Sequence, residues 1–210
     1  SAVVSYILEH FDQKTKRHAS FQYKERRVNG FNSLFATSSI KAARAYYQEF
    51  KRQQADLPEA RRLSVGIIYS YAPNAEAPGT GLLSEESMDP SALSQDDRAF
   101  LDEAIADYNQ QFGTNYGTDA SGFESYYESL SQALTDRRID LVIVVDMFLT
   151  GFDSKSLNTL WVDKNLRAHG LIQAFSRTNR ILNSVKTYGN IVCFRNLEDA
   201  TNDAIALFGN

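Results

Sequence analysis

The sequence predicts an α/β fold in which a mostly parallel sheet has helices on both faces. Segments of strand character alternate with segments of helical period, and Ile139–Val145 (IDLVIVV) is apolar on both faces and β-branched. Such a strand is expected inside a parallel sheet that helices cover on both sides. Hydrophobic residues make up 43% of the chain and charged residues 23%, the balance of a globular domain. We therefore expect a doubly wound α/β domain.

The first half of the chain contains the first predicted helices and strands. An amphipathic helix begins at once, with an apolar face of Val3, Val4, Ile7, Leu8 and Phe11. Gly30 precedes a short apolar segment, Phe31–Thr37, which predicts a buried strand. A helix follows with the apolar stripe Ile40, Ala43, Tyr47 and Phe50. Val65–Tyr71 predicts the next strand.

The second half continues the alternation after a change of composition. From Pro73 to about Gln95 the chain is rich in Pro, Gly, Ser and acidic residues and has no regular period. Ser94 is a predicted N-cap of a helix that Gly113 ends, and another helix is expected from about Phe123 to Leu134. Further strands are predicted at Asn158–Val162 and Asn190–Phe194, and helices at about Gly170–Leu182 and Glu198–Phe208.

Length and composition restrict the possible classes. At about 150 residues per domain, 210 residues predict one domain, 1–210, with a loop and helical insertion at about 73–136. The net charge of −4 argues against a surface that is basic throughout. A single cysteine, Cys193, excludes an internal disulfide, and no apolar run is long enough to cross a membrane. We expect a cytoplasmic protein and, since the chain lacks an initial Met, a piece of a longer one.

Polar residues follow the predicted strands, where an α/β sheet binds its ligands. Thr37, Ser38 and Ser39 follow the first strand, at the start of a helix. They are either a plain N-cap or an N-cap whose spare hydroxyl and N–H groups hold a phosphate. The basic stretch from Lys14 to Arg27 leaves a similar choice between a solvated connector and a phosphate-contacting surface.

Two later strand ends also have candidate residues. After Ile139–Val145 the chain continues to Gly151 and Asp153, where the glycine permits a tight turn and the aspartate places a carboxylate at the sheet edge. The next strand is followed by Asp163, Lys164 and Asn165. These residues lie at the ligand-binding edge, but they fit a surface ion pair equally well.

The predicted helix at Gly170–Leu182 has two opposite faces. Leu171, Ile172, Phe175 and Leu182 are apolar, whereas Gln173, Arg177 and Arg180 share the other face at spacings of four and three residues. A cationic helix face of this kind is often exposed to solvent without binding a ligand. Two guanidinium forks beside an amide also suit the oxygens of a polyphosphate.

Two strings of this sequence resemble the restriction subunit of type I restriction-modification enzymes. They are LVIVVDMFLTGFDSKSLNTLWVDKNL (Leu141–Leu166) and HGLIQAFSRTNR (His169–Arg180). The first helix, Phe31–Tyr47 and Gly189–Leu197 also have recognisable counterparts, so the resemblance covers nearly the whole chain. That subunit is a superfamily 2 helicase-like, ATP-driven DNA translocase with an endonuclease domain, found in the bacterial or archaeal cytoplasm. The resemblance implies that this chain is its second RecA-like motor lobe.

The resemblance also implies roles for individual residues. Ala36–Ser39 resembles helicase motif IV, which implies DNA-backbone contacts for Thr37, Ser38 and Ser39. Asp146–Asp153 resembles motif V, which places Gly151 and Asp153 at the nucleotide and Thr150 near DNA. Gln173–Arg180 resembles motif VI, with Gln173 as a nucleotide contact and Arg180 and Arg177, in that order, as candidate arginine fingers. The wider superfamily often has Gly at the positions of Ser176 and Asn179, whereas this sequence, like the type I version, does not.

The nucleotide-binding and nuclease motifs that this sequence lacks indicate which partners we expect. The sequence has no G-x-x-x-x-G-K-[ST] phosphate loop, no Walker B acid pair and no nuclease-type acid and E-x-K arrangement. We expect ATP and Mg²⁺ to bind only in the full-length parent, where a preceding RecA-like lobe completes the cleft. The other implied partners are double-stranded DNA and the specificity and modification subunits.

Two other functions stay open at this point. The first is a stand-alone Rossmann-like module that binds a nucleotide or a protein. The second is a hydrolase that uses Ser176, His169 and either Asp153 or Asp163, although Ser176 lies within a predicted helix and lacks a nucleophile elbow. The three histidines are too scattered to predict a zinc site, and Cys193 and Trp161 are predicted core residues.

Overall fold

The structure, a computed structural model, describes residues 1–23, 25–70, 90–149, 152–166, 168–179, 186 and 189–208. The elements of the first half are α1 (Ala2–Thr15), β1 (Ser20–Tyr23), β2 (Arg26–Asn29), β3 (Asn32–Thr37), α2 (Ile40–Gln54) and β4 (Val65–Ile68). Those of the second half are α3 (Gln95–Phe112), α4 (Ala120–Thr135), β5 (Leu141–Val144), β6 (Leu157–Asp163), α5 (Ala168–Ser176), β7 (Asn190–Cys193) and α6 (Glu198–Phe208).

A five-stranded parallel sheet forms the centre of the molecule. Its strand order is β4-β5-β3-β6-β7, and each neighbouring pair is parallel. Every side chain of β3 and β5 is buried, so both faces of these strands are covered. The α/β fold with helices on both faces is therefore confirmed, and it is consistent with a RecA-like domain.

The helix boundaries that the sequence predicted from capping residues are confirmed. The Ser94 hydroxyl accepts a hydrogen bond from the Asp97 amide at 3.1 Å, and Gly113 ends α3 in the left-handed conformation with φ of 68°. Ser39 caps α2 in the same way, because its hydroxyl accepts from the Ala42 amide at 3.1 Å. These side chains bond amide groups that a helix leaves unpaired at its first turn.

The basic stretch contains a hairpin that the sequence analysis did not predict. β1 and β2 pair antiparallel and form a separate two-stranded sheet. The buried Phe21 ring stacks on Phe31 at 4.8 Å between centroids, which packs the hairpin against the residue that precedes β3. Arg17 donates to the Arg62 carbonyl at 2.7 Å and lies 3.6 Å from Asp140, so this arginine of the basic stretch has a structural role.

The helices between β4 and β5 share the main core. Phe100, Leu101, Ile105, Phe123, Tyr126 and Leu130 belong to the same buried cluster as the sheet residues. The Tyr126 hydroxyl donates to the Ile67 carbonyl of β4 at 2.7 Å. Two parallel neighbours such as β4 and β5 need a crossover connection, and α3 and α4 lie within it. The predicted insertion at about 73–136 stays a prediction, and its residues 73–89 lie outside the described residues.

Two sequence predictions about strand residues are wrong. Strand β4 ends at Ile68, so the predicted strand does not reach Tyr69 or Ser70, and Tyr71 lies outside the described residues. Cys193 is exposed and is not a core residue. The reason is that β7 is an edge strand whose side chains alternate between half-buried and exposed positions. Trp161, on an inner strand, is fully buried as predicted.

None of the helices within the described ranges is both long enough and apolar enough to cross a membrane.

Gly30, just before β3, lies in close backbone contact with the turn that follows α1. Its φ is +62°, and a Cβ atom at this position would lie 2.4 Å from the Arg17 Cα. Gly113 has a similar φ of +68°, but a Cβ atom there would meet nothing within 4 Å. The two glycines therefore separate the cost of a left-handed backbone from the cost of a steric clash.

We expect Gly30→Ala to lower the free energy of unfolding by about 2–5 kcal/mol, because conformational strain and overpacking add. Gly113→Ala is the matched control and is expected to cost only about 1–2 kcal/mol. Urea denaturation of the two variants measures the difference. Equal losses in both variants would contradict the proposed backbone clash at Gly30.

Candidate functional site

The carboxyl ends of the parallel strands bring several predicted site residues to one edge of the sheet. β3 continues into Ser38 and Ser39, β5 into Asp146, and β6 ends at Asp163. The chain leaves β3 through α2 toward β4, whereas it leaves β6 through α5 toward β7. Ligands of open α/β sheets bind where neighbouring strands connect in opposite directions, so the crevice between β3 and β6 is the candidate site.

The three hydroxyl residues at the end of β3 and directly after it differ in their surroundings. Thr37 is fully buried, and its hydroxyl donates to the Val144 carbonyl of β5 at 3.0 Å. Ser39 is the N-cap of α2, and both Ser38 and Ser39 are half-buried. The sequence left two alternatives open, a plain N-cap and an N-cap that also holds a phosphate. The geometry of the Ser39 cap is compatible with both alternatives. Contacts of these residues with DNA stay a prediction.

Two ion pairs neutralise the charges at this edge. Lys164 pairs with Asp146, and its ammonium group also donates to the Val145 carbonyl at 2.9 Å. Asp163 accepts from Arg195 at 2.9 Å and from the Tyr46 hydroxyl at 2.5 Å. Burial and the adjacent Asp163 raise the pKa of Tyr46 well above its usual value. Sequence reasoning missed Tyr46 and Arg195, because they come from α2 and from the end of β7.

An aromatic stack holds the turn after β5. Phe148 is fully buried with φ of +63°, a left-handed conformation that is unusual for a residue other than glycine. Its ring stacks on Tyr127 of α4 at 4.9 Å and meets the Phe152 ring edge-on at 4.9 Å. The predicted residues Thr150 and Gly151 lie outside the described residues. Asp153, directly after the stack, is exposed.

Helix α5 is shorter than predicted. It ends at Ser176, and the next amides bond carbonyls three residues earlier, such as Arg177 N–H to Ala174 at 3.2 Å. The predicted helix at residues 177–179 is therefore wrong, and Arg180–Leu182 lie outside the described residues. The run of Ser176, Thr178 and Asn179 explains the early end, because such side chains compete with the helix for backbone partners. The Ser176 hydroxyl, for example, donates to the Gln173 carbonyl at 2.8 Å.

Arg177 connects the end of α5 to the segment that follows the aromatic stack. Its Nη1 donates to the Phe152 carbonyl at 2.6 Å, and its Nε donates to the Gln173 carbonyl at 3.0 Å. The structure thus brings together three predicted nucleotide-side residues, namely Asp153, Gln173 and Arg177. The Oε1 atom of Gln173 is buried and has no hydrogen-bond partner within the described part of the chain. The roles of these residues toward a nucleotide stay predictions.

Lys186 is a buried basic residue that the sequence analysis missed. Only 2% of it is exposed, and its ammonium group donates to the Leu157 carbonyl at the start of β6. Burial lowers the pKa of Lys186 to about 8, although Asp153 opposes this shift. No local signal distinguishes this lysine from a surface one, because its burial depends on the tertiary packing.

Within the described ranges, no group of three or more His, Cys, Asp or Glu side chains could hold a metal ion. A cleft of about 510 Å³ opens beside α6 and is lined in part by Leu166, Leu197, Asp199 and Asp203. Its carboxylates would repel a phosphate group, so this cleft does not suit a nucleotide.

The comparison with known families identifies the chain. The family model described as type I restriction enzyme subunit R domain 3 matches residues 29–196. The chain belongs to this family. The match includes β3, β5, β6, α5 and β7, which are the elements that form the candidate site. The predicted resemblance is therefore confirmed.

Relatives of this subunit R domain are endonuclease subunits. The chain is 41% identical over 187 residues, 88% of its length, to the endonuclease subunit of the type I restriction enzyme SauMRSORF196P from Staphylococcus aureus. It is 42% identical over 208 residues, 98% of its length, to that of SsaAORF53P from Staphylococcus saprophyticus. A match to the HindI endonuclease subunit from Haemophilus influenzae is 42% identical over 55 residues, 26% of this chain and 5% of that subunit. The chain spans 19% and 20% of the two staphylococcal relatives.

The depressed pKa of Lys186 predicts a pH dependence of stability in this subunit R domain. Because the unfolded chain has the ordinary pKa of 10.5 and the folded chain about 8, the unfolded state binds more protons between these values. The free energy of unfolding therefore rises as pH increases from 8 to 10.5. Lys186→Met removes this titrating group. The free energy of unfolding of the wild type should therefore rise relative to that of the variant between pH 8 and pH 10.5.

Urea denaturation at several pH values measures this difference. Lys155→Met is the control, since Lys155 is an exposed lysine of the same region. Parallel pH profiles for the wild type and Lys186→Met would contradict a proton loss at Lys186.

Proposed function

We propose that this chain is the second RecA-like motor lobe of a type I restriction endonuclease subunit, an ATP-dependent DNA translocase. The family match and the parallel sheet support this assignment. The observation that favours it most is the joining of Phe152–Asp153 to the end of α5 through the Arg177 guanidinium. It brings together the two segments that resemble motifs V and VI.

The proposed chemistry is electrostatic stabilisation of phosphoryl transfer. Negative charge spreads over the phosphate oxygens in the transition state, and an arginine held beside them lowers the barrier. We assign this contact to Arg180 first and to Arg177 second. Asp153 and Gln173 are the proposed neighbouring nucleotide contacts.

This lobe supplies only part of the proposed ATP cleft. Its sequence has no phosphate loop, and the described residues offer no cluster for a cation. We propose that the phosphates and Mg²⁺ are held mainly by a preceding RecA-like lobe. The isolated chain is therefore inactive in ATP hydrolysis and in DNA cleavage. The specificity and modification subunits are the proposed partners of the complete subunit.

The proposed DNA contacts lie at the carboxyl edge of the sheet. Ser38 and Ser39 have half-buried side chains there, beside the first turn of α2. Hydroxyl groups and helix N-termini are common partners of the DNA backbone, and they contact it without reading the base sequence. Thr150 is a further proposed contact. Thr37 supports this edge from within, through its hydrogen bond to β5.

We expect Arg180→Ala in the complete endonuclease subunit to reduce DNA-stimulated ATP turnover by roughly 10³-fold, the usual range for an arginine finger. Arg52→Ala is the control, because Arg52 is exposed and pairs within its own helix with Glu49. Steady-state phosphate release measures both. Turnover close to the wild-type value in Arg180→Ala would rule out the finger assignment.

The 210-residue chain by itself is expected to bind duplex DNA with a dissociation constant on the order of 10⁻⁴ M, without sequence preference and more weakly as salt increases. It should not bind ATP measurably. Fluorescence anisotropy with labelled DNA and with labelled ATP tests both points. Tight ATP binding by this chain would favour the stand-alone Rossmann-like module.

A further inference from the structure

One guanidinium group fastens the last turn of α5 to the connection between β5 and β6. Arg177 is half-buried and uses all three of its nitrogen atoms as donors within its own lobe. Nε donates to the Gln173 carbonyl at 3.0 Å, Nη2 to the Ser176 hydroxyl at 3.0 Å, and Nη1 to the Phe152 carbonyl at 2.6 Å.

The first two bonds orient the third. The Gln173 carbonyl and the Ser176 hydroxyl belong to the last turn of α5, where the partial negative charge of the helix attracts a cation. Because the guanidinium group is planar, two bonds to this turn fix its plane and direct Nη1 toward Phe152. A lysine has a single nitrogen and could not hold both elements with the same geometry.

The segment on the other side of the bond is also held in place. The Phe152 ring packs edge-on against Phe148, which in turn stacks on Tyr127. Farther along, the Ser154 hydroxyl and carbonyl accept from the amides of Ser156 and Leu157, both at 3.3 Å. The peptide that joins Phe152 to Asp153 therefore lies between an aromatic stack and the Arg177 guanidinium.

The turn after Arg177 has a close backbone contact of its own. Thr178 is fully buried, and a Cβ atom on Gly189 would lie 2.4 Å from the Thr178 hydroxyl oxygen. Only a glycine at position 189 permits this approach, so the turn that follows α5 is held against the residue that precedes β7. Its position relative to Phe152 depends on the Arg177 bond.

We propose that Arg177 is a positioning residue, which sets the orientation of the Phe152–Asp153 peptide relative to Gln173 and the end of α5. This inference rests on the proposed function, in which Asp153 and Gln173 face the nucleotide. A guanidinium group has five N–H donors, and three of them are used within this lobe. Because Arg177 acts through the peptide that it holds, the phosphate contact for which Arg177 was the second candidate falls to Arg180 alone.

Hydrogen exchange of the 210-residue chain tests the positioning without any nucleotide. In Arg177→Ala, we expect the amides of Ser156 and Leu157 to exchange at least about 10-fold faster, because the segment loses a hydrogen bond to a charged group. Arg177→Lys keeps one donor and should give an intermediate rate. Arg195→Ala is the matched control, since Arg195 pairs with Asp163 at the same sheet edge and should leave these amides unchanged.

ATP turnover of the complete subunit gives the second measurement. Misplacement of neighbouring groups predicts a fall in kcat of about 10²-fold for Arg177→Ala, with KM for ATP less affected, and partial recovery in Arg177→Lys. In Arg180→Ala the kcat should fall further, and Arg180→Lys should not recover the loss, because the finger contact needs the planar guanidinium group.

The outcomes separate this inference from the proposed function. Faster exchange in Arg177→Ala, with Arg177→Lys between it and the wild type, supports the positioning role. Unchanged exchange in both Arg177 variants overturns that role, whether or not turnover falls. A third outcome is faster exchange together with normal ATP turnover in all Arg177 and Arg180 variants. This outcome supports the contact between Arg177 and Phe152 but overturns the proposed ATP chemistry, and with it the catalytic part of this inference.

Discussion

The pairing of β3 with β5 on one side and β6 on the other is the constraint on which the rest of the molecule depends. All six side chains of β3 are buried, so this strand must have a helix layer on each face. Its backbone register places Thr37 beside Asp163, and Ala36 beside Val144 of β5. Because the five strands of this sheet are parallel, the segments after β3, β5 and β6 emerge together at one edge.

The groups at this edge are stabilised by one another. Lys164 joins the end of β6 to the end of β5, and Arg195 joins the end of β7 to Asp163. Exposed ion pairs add little to stability, but these pairs are partly buried and also bond backbone or hydroxyl groups. Their main effect is to hold the loop ends in fixed positions. A site built from several loops needs this order before any ligand arrives.

The end of α5 shows how side chains can end a helix before its sequence periodicity ends. Helical periodicity continues through Arg180 in the sequence, yet the helix ends at Ser176, where the Ser176 hydroxyl and the Arg177 guanidinium group both donate to the Gln173 carbonyl. The resulting turn lets Arg177 reach the Phe152 carbonyl across the lobe. Gln173 lies within α5 and Arg177 in the turn after it, and the hydrogen bond from Arg177 Nε to the Gln173 carbonyl joins them.

The sequence by itself determined the α/β class, the order of the helices and of the main-sheet strands along the chain, the cap at Ser94 and, through its resemblance, the family. The class, the order along the chain and the cap depend on local periodicity and on residues close together in the chain, such as Ser94 and Asp97. Only the tertiary structure decided that Cys193 is exposed on an edge strand, that Lys186 is buried and that Arg177 bonds Phe152. The reason is that strand order, burial and contacts between distant segments depend on the whole packing, which no local pattern contains.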